Sequence, residues 1–291
     1  MRKEIALPSL AVAGGVAGFF LRRWGLATAF EADTGLPVPG APATLALLAL
    51  SLALAGVLLF FCVRFRPPFP DGFGQAFRLI GAAQAALVTA AGLLLGAAGV
   101  LRLTALPNAV LQLRASSPHQ VSTLQVLMSA APQLLLSLLC LCSAVCVVLI
   151  AKHSYRGTGP APRSGLPLVP AYTCGLWLIT AYQARAGDPV MLDYLYGFLA
   201  IMAVLLALYF MAGFSFGRPR AGQTAFFCLL AVCLSFITLA DVHDLSGTLM
   251  YLCSICYLTA SAFALLHNGR EPDSGSEYGT PPSAEESPKE D

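Results

Sequence analysis

Long apolar runs separated by short polar segments dominate this chain of 291 residues. Crossing about 30 Å of hydrocarbon takes roughly 20 apolar residues in a helix, and inside lipid only helices or closed barrels satisfy every backbone hydrogen bond. The runs do not alternate as barrel strands would, so each one predicts a membrane-spanning helix. The predicted spans lie near residues 5–21, 43–63, 79–101, 124–151, 166–182, 194–214, 223–240 and 246–266.

Composition supports the same class of protein. The chain is 57% hydrophobic and 11% charged, with a mean hydropathy of +0.73, which excludes an ordinary soluble domain. We therefore expect an all-α integral membrane protein, a bundle of about eight transmembrane helices within residues 1–270. Residues 271–291 contain seven acids, one lysine and almost nothing to bury, which predicts a disordered acidic cytoplasmic tail.

Two connections hint at an internal repeat. Residues 60–77 (FFCVRFRPPFPDGFGQAF) and 209–226 (YFMAGFSFGRPRAGQTAF) both pass from an aromatic helix end through Arg-Pro to Gly-Gln. Four spans separate them, so a duplication would give two parallel four-helix halves. Basic loops and similar helix starts also produce such a match by chance, and the sequence leaves both origins open.

The basic residues predict an orientation. With the N-terminus inside, twelve of the 17 basic residues fall on the inner side and five on the outer side. This asymmetry places both termini in the cytoplasm. The five outer residues are Arg22, Arg23, Arg102, Arg114 and Arg185.

Arg22 and Arg23 are the exception to that rule, because they directly follow an apolar run. One hypothesis makes them an interface anchor whose guanidinium groups reach lipid phosphates, with Glu31 and Asp33 as partners in the next loop. The other continues helix one to Phe30, which would bury the pair against an anion or an internal carboxylate. In the second case both arginines become candidates for substrate binding.

Polar residues inside the fourth span are the other substrate-binding candidates. Gln125 and Gln133 interrupt an apolar run, and Gln133 follows Pro132, where a missing backbone donor predicts a kink in the middle of the membrane. Pro170 predicts a similar kink in the fifth span. Glutamines that bind one another between helices are the alternative explanation.

Metal, cofactor and enzyme signatures are weak. Asp241, His243 and Asp244 share one short turn and are weak candidates for a metal site, but no fourth ligand accompanies them in the sequence. All nine cysteines lie in or beside apolar runs, which indicates buried thiols rather than a disulfide framework. Because the usual catalytic motifs are missing, we expect no enzyme activity, no cofactor and no resident metal.

The run LRRWGLATAFEADTGLPVPGAPA, residues 21–43, resembles the first outer loop of uncharacterised bacterial polytopic membrane proteins, a family with no assigned activity. The resemblance implies a bacterial cytoplasmic membrane. Only two asparagines occur, neither in a glycosylation sequon, which is compatible with that location.

The expected partners are lipids and membrane proteins. The body of the chain, without its acidic tail, is strongly basic, so its inner face should attract anionic lipid headgroups. Gly92 and Gly96 have a spacing that allows close helix contacts, which we expect to be internal, with a homodimer or another membrane protein as the alternative. Scattered basic residues argue against nucleic acid.

Two functions remain open. A small-molecule transporter, or permease-like protein, fits the polar residues in spans three and four and the lack of any soluble domain. A non-catalytic membrane subunit, scaffold or sensor that acts through protein or lipid partners fits the scarcity of charge inside the membrane equally well.

Overall fold

The computed structural model describes residues 3–30, 38–65, 67, 69, 72–116, 123–157, 165–185 and 191–269, with the backbone alone for residues 3, 109, 112–116, 123–129 and 191–193. These parts of the chain contain nine helices and no β-strand. The helices are α1 (Lys3–Thr28), α2 (Pro42–Val63), α3 (Phe73–Ala76), α4 (Ala82–Ser116), α5 (Thr123–Tyr155), α6 (Leu168–Arg185), α7 (Met191–Ser215), α8 (Ala221–Thr238) and α9 (Leu245–Asn268).

Seven of the described helices are long and apolar enough to cross a membrane: α1, α2, α4, α5, α7, α8 and α9. The predicted all-α membrane bundle is therefore confirmed. The predicted fifth span corresponds to α6, which has 18 residues and carries Tyr, Thr, Gln and Arg side chains that make it less apolar. It packs between α5 and α7 and completes a set of eight long helices.

The long helices run between the two ends of the bundle, which we name proximal and distal. Helix α1 runs parallel to α8, because Gly15 lies against Cys233 and Gly18 against Ile237. Helix α1 begins and α9 ends at the proximal end, where Gly269 contacts Phe65 just after α2. At the distal end α1 ends and α9 begins. Residues 3 and 269 therefore lie at the same end of the bundle, and the predicted cytoplasmic location of the termini stays a prediction.

Helix α8 lies at the centre of the bundle, where it contacts α1, α2, α7 and α9. Helix α2 lies outside and packs on α1 and α8, so many of its leucine and phenylalanine side chains are exposed. The glycines of α1 and α4 make internal contacts, as expected: a Cβ atom at Gly92 would lie 2.8 Å from Val148 of α5.

Three details differ from the sequence-based prediction. Helix α1 extends past residue 21 to Thr28, and α4 extends past residue 101 to Ser116. Pro170 lies in the first turn of α6, where a backbone N–H has no helical partner, so it costs no hydrogen bond and the predicted kink is wrong. Helix α5 continues through Pro132 without a break.

The two predicted four-helix halves are not separate bodies. Helix α1 of the first half packs on α8 of the second, and α4 packs on α9. The duplication itself stays a prediction. The predicted tail lies outside the described residues.

Candidate functional site

A cavity of about 480 Å³ opens between helix ends at the distal end of the bundle. Helices α4, α5, α6, α7 and α9 surround it, and the turn from α8 to α9 forms one edge. On that turn Val242 is 90% exposed, so the edge of the cavity reaches the surface. Its polar and aromatic lining residues are Arg102, Gln133, Trp177, Thr180, Arg185, Tyr194, Phe198, Asp241, His243, Asp244 and Tyr251.

A buried ion pair supports the wall formed by the α8–α9 turn. Arg22 is 5% exposed, and its Nε atom donates a hydrogen bond of 2.7 Å to Oδ1 of Asp241. The guanidinium carbon also lies 5.7 Å from the centre of the Tyr196 ring. A buried guanidinium needs such a partner, since an unpaired charge in an apolar interior is costly. Arg22 therefore holds Asp241, and with it the turn, in place.

Arg102 brings a second arginine into the cavity itself. It lies inside the apolar part of α4, Ala82–Asn108, and its Nη1 atom donates to Oε1 of Gln133 on α5 at 3.2 Å. Its Nε atom is buried and has no hydrogen-bond partner among the described residues. A guanidinium group carries five N–H donors, and a neutral glutamine oxygen balances none of its charge. The group is thus poised to bind an anion.

The opposite wall is formed by aromatic rings and a third arginine. The Tyr251 ring centre lies 4.8 Å from that of Trp177 and 5.0 Å from that of His243. Arg185, at the end of α6, lies 6.0 Å from the ring centre of Tyr194. Flat aromatic walls beside cationic groups favour a ligand that has both an apolar part and a negative charge.

The Asp241, His243 and Asp244 turn has a structural explanation. Asp244 is the N-cap of α9: its carboxylate accepts hydrogen bonds from the backbone N–H of Gly247 at 3.1 Å and from the hydroxyl of Ser246. His243 Nε2 lies 2.9 Å from the carbonyl oxygen of Thr238, and Asp241 is paired with Arg22. Within the described residues, no three His, Cys, Asp or Glu side chains are grouped as a metal ion would need.

The predicted substrate-binding residues have four different positions. Gln133 lines the cavity, and it lies close to the distal end of the apolar part of α5, Ala130–Tyr155, rather than at its middle. Arg22 lies behind the cavity wall, and Arg23 is exposed outside it. The side chain of Gln125 is outside the described residues. Glu31 and Asp33 are outside them too, so their pairing with the arginines stays a prediction, and a described partner of Arg22 is Asp241.

Sequence reasoning assigned Arg102 and Arg185 to loops and missed their role in the site. Arg102 directly follows the predicted third span, and the long extension of α4 places it within a helix. One signal was present: Arg102 follows an apolar run just as Arg22 does. The aromatic residues Trp177 and Tyr251 gave no such signal, because aromatic side chains are common inside any bundle.

Comparison with known proteins does not assign this chain to a family. No family model, no curated protein and no solved structure matches this chain.

The charges around the cavity favour anions. Three arginines and two aspartates lie in or directly behind its walls, namely Arg22, Arg102, Arg185, Asp241 and Asp244. Both carboxylates are already engaged, one by Arg22 and one by the start of α9. Among the described residues, neither carboxylate is paired with Arg102, whose contact is with Gln133.

Proposed function

We propose that this multi-pass membrane protein is a non-enzymatic transporter that takes up a small organic anion in the distal cavity. The observation that carries the proposal is Arg102, a cation inside an apolar helix whose Nε atom is buried and finds no hydrogen-bond partner in the described part of the chain. Charged residues within membrane helices are costly and usually mark a substrate or ion path. An anion bound between Arg102 and Arg185 would compensate that cost.

Size and wall chemistry support an organic anion rather than a bare ion. The volume of about 480 Å³ falls within the range of roughly 300–1,000 Å³ typical of small-molecule sites. Trp177 and Tyr251 offer ring faces to an apolar or planar part, while the arginines take the charge. A carboxylate matches the planar guanidinium in geometry, so an aromatic or branched carboxylate is the preferred class.

A line of smaller cavities supports transport over simple binding. A second cavity of about 40 Å³ lies below Trp177, beside Leu95, Val204 and Tyr257. A third of about 10 Å³ continues past Tyr257 to Val88 and Met211. Along α4, α7 and α9 the lining residues thus progress steadily from the distal to the proximal end. A wide distal cavity above narrow ones fits a carrier that is open at the distal end only.

The proximal end of this line is closed by aromatic packing. Phe73 of α3 and Phe77 line the third cavity, and the Phe77 ring centre lies 5.2 Å from that of Phe214 on α7. Asn268 at the end of α9 donates to the carbonyl oxygens of Ala76 and Arg78, which fixes the segment in place. Release on the proximal side would require this segment to move.

The basic residues give the proposed orientation in a cell membrane. They are enriched in the connections at the proximal end, which supports a cytoplasmic proximal end with the wide cavity outside. The proposed carrier is therefore in an outward-open state.

Binding can be measured through tryptophan fluorescence. The chain has two tryptophans, and Trp24 lies outside the cavity, so a Trp24→Phe background leaves Trp177 as the only reporter. We expect 4-nitrobenzoate to quench Trp177 in a saturable manner and the uncharged 4-nitrobenzyl alcohol not to. Arg102→Gln should weaken binding by about ten- to hundredfold, since hydrogen bonds to charged groups contribute about 1.5–3 kcal/mol.

Arg23→Gln is the matched control, because Arg23 is exposed and lies outside the cavity. Equal quenching by the acid and the alcohol, or equal affinity with and without Arg102, would contradict an anion site.

Uptake of labelled 4-nitrobenzoate into proteoliposomes then separates the two candidate functions. Uptake that depends on Arg102 supports a transporter, whereas binding without uptake supports the sensor or subunit that the sequence also allows.

A further inference from the structure

A second, separate groove lies at the proximal end, between the end of α2 and the start of α8. Its volume is about 600 Å³. The walls that run along the helices are apolar: Leu59, Cys62 and Val63 on α2, and Phe226 and Phe227 on α8. None of these residues lines the distal cavity or the line of cavities below it.

Close contact of the two helices forms the floor of the groove. A Cβ atom at Gly222 would lie 2.5 Å from the carbonyl oxygen of Cys62 and 2.9 Å from that of Phe65. Only glycine allows the start of α8 to approach the α2 backbone so closely. Side chains of both helices then diverge above this contact and leave the groove open.

The groove is continuous with the apolar outer face of the bundle. Leu59 is 48% exposed and Val63 is 55% exposed, and the neighbouring phenylalanines of α2 are similarly open. In a chain that spans a membrane, such a face contacts lipid acyl chains. An acyl chain can therefore enter the groove from the side.

One end of the groove is positively charged. Arg220, just before α8, is exposed at its rim, and its Nη1 atom donates to Oε1 of Gln223 at 3.2 Å. Among the described lining residues, Arg220 is the only charged one. It lies at the level where α2 ends and α8 begins, so a headgroup at the membrane boundary would meet its guanidinium group.

We propose that this groove binds one anionic phospholipid. The phosphate of the lipid pairs with Arg220 and accepts a hydrogen bond from the amide of Gln223, and one acyl chain lies between Leu59 and Phe227. Guanidinium groups bind phosphate by parallel hydrogen bonds, and basic residues at a membrane surface select anionic headgroups. The lipid would join the end of α2 to the start of α8.

Native mass spectrometry of the full-length protein tests the proposal, with phosphatidylglycerol and phosphatidylcholine of identical acyl chains as probes. We expect one tightly retained phosphatidylglycerol and weaker retention of phosphatidylcholine. Arg220→Gln should lower the affinity for phosphatidylglycerol about fivefold. Leu59→Trp, which fills the apolar part from an exposed position, should lower the affinity for both lipids.

Arg218→Gln is the matched control, since Arg218 is also exposed and does not line the groove. Equal losses for Arg218→Gln and Arg220→Gln would show a diffuse surface charge and overturn the proposal. Unchanged lipid retention in both Arg220→Gln and Leu59→Trp would also overturn the proposal. Displacement of the lipid by millimolar inorganic phosphate alone would show an ion site without lipid recognition and would also overturn it.

Discussion

Arg22 and Arg23 are adjacent and identical, yet they have opposite environments. Successive residues of a helix point about 100° apart, so Arg22 points towards Asp241 and Tyr196 while Arg23 points outwards. Arg23 has the exposure expected of an interface anchor, and Arg22 has the burial expected of a charge with an internal carboxylate. Each of the two hypotheses from the sequence therefore describes one residue of the pair.

We predict that Asp241→Asn destabilises the protein by about 3 kcal/mol, because it removes a charged partner that lies 2.7 Å from the buried guanidinium of Arg22. Thermal unfolding of the purified protein in detergent measures the effect. Arg23→Gln should change the unfolding temperature little, since exposed charges contribute little to stability.

The double variant Arg22→Gln with Asp241→Asn provides the control for this pair. It removes both charges and should recover part of the stability lost in Asp241→Asn. Simple addition of the two single effects would show that the ion pair does not couple the two positions.

The sequence shows that Arg22 is unusual, because it directly follows an apolar run, but it does not show which residue Arg22 contacts. Its partner lies 219 residues away, and no local pattern connects the two. Gln133 was found because a polar side chain in an apolar run is conspicuous. Arg102 was missed because the predicted span ended at residue 101, whereas α4 continues to Ser116 and places this half-buried cation inside the helix.

At the level of the helices, glycine determines how closely α4 approaches α5. A Cβ atom at Gly92 would lie 2.8 Å from Val148 Cγ2 and 3.2 Å from the carbonyl oxygen of Ala144. We predict that Gly92→Leu destabilises the fold by about 1–3 kcal/mol, the usual cost of overpacking. Because α4 and α5 both line the distal cavity, the same change should weaken 4-nitrobenzoate binding.

Gly56→Leu on α2 is the matched control, since no atom lies within 4 Å of a Cβ built at Gly56. The unfolding temperature of Gly56→Leu should equal or slightly exceed that of the parent protein, because leucine favours helices more than glycine does. Equal destabilisation by both substitutions would mean that helix propensity, not the α4–α5 contact, explains the effect.

The helices themselves were predictable because length and hydropathy determine them almost completely. Each of the eight long helices overlaps one predicted span. Helix ends were less predictable: α4 continues through Thr, Asn and Gln residues that look like a loop. The error at Pro170 has the same origin, since the ring is harmless in a first turn and harmful only further along.

At the level of the whole molecule, the orientation decides from which side the proposed substrate would reach the distal cavity. We predict that an impermeant maleimide added to intact cells labels Val242→Cys and not Arg218→Cys, on a cysteine-free background. Val242 is 90% exposed beside the distal cavity, and Arg218 is exposed at the proximal end. Permeabilised cells should label both positions.

Labelling of Arg218→Cys but not Val242→Cys in intact cells would reverse the orientation and turn the proposed uptake route around. The helix arrangement in the bundle would be unaffected.

The order of neighbouring helices, with α8 in the centre and α2 outside, was not predictable from the sequence. Every span is apolar, and the sequence alone does not tell lipid contact from helix contact.

The distance along the chain between Arg22 and Asp241 has a consequence for biosynthesis. Translation at about 5–20 residues per second separates the appearance of the two residues by on the order of ten to forty seconds. During that interval the first helix is already in the membrane, and Arg22 lacks Asp241, its described partner. Its position in the last two turns of α1 lets the side chain reach the headgroup region meanwhile. The first helix can therefore insert early and take its final place only when the α8–α9 turn arrives.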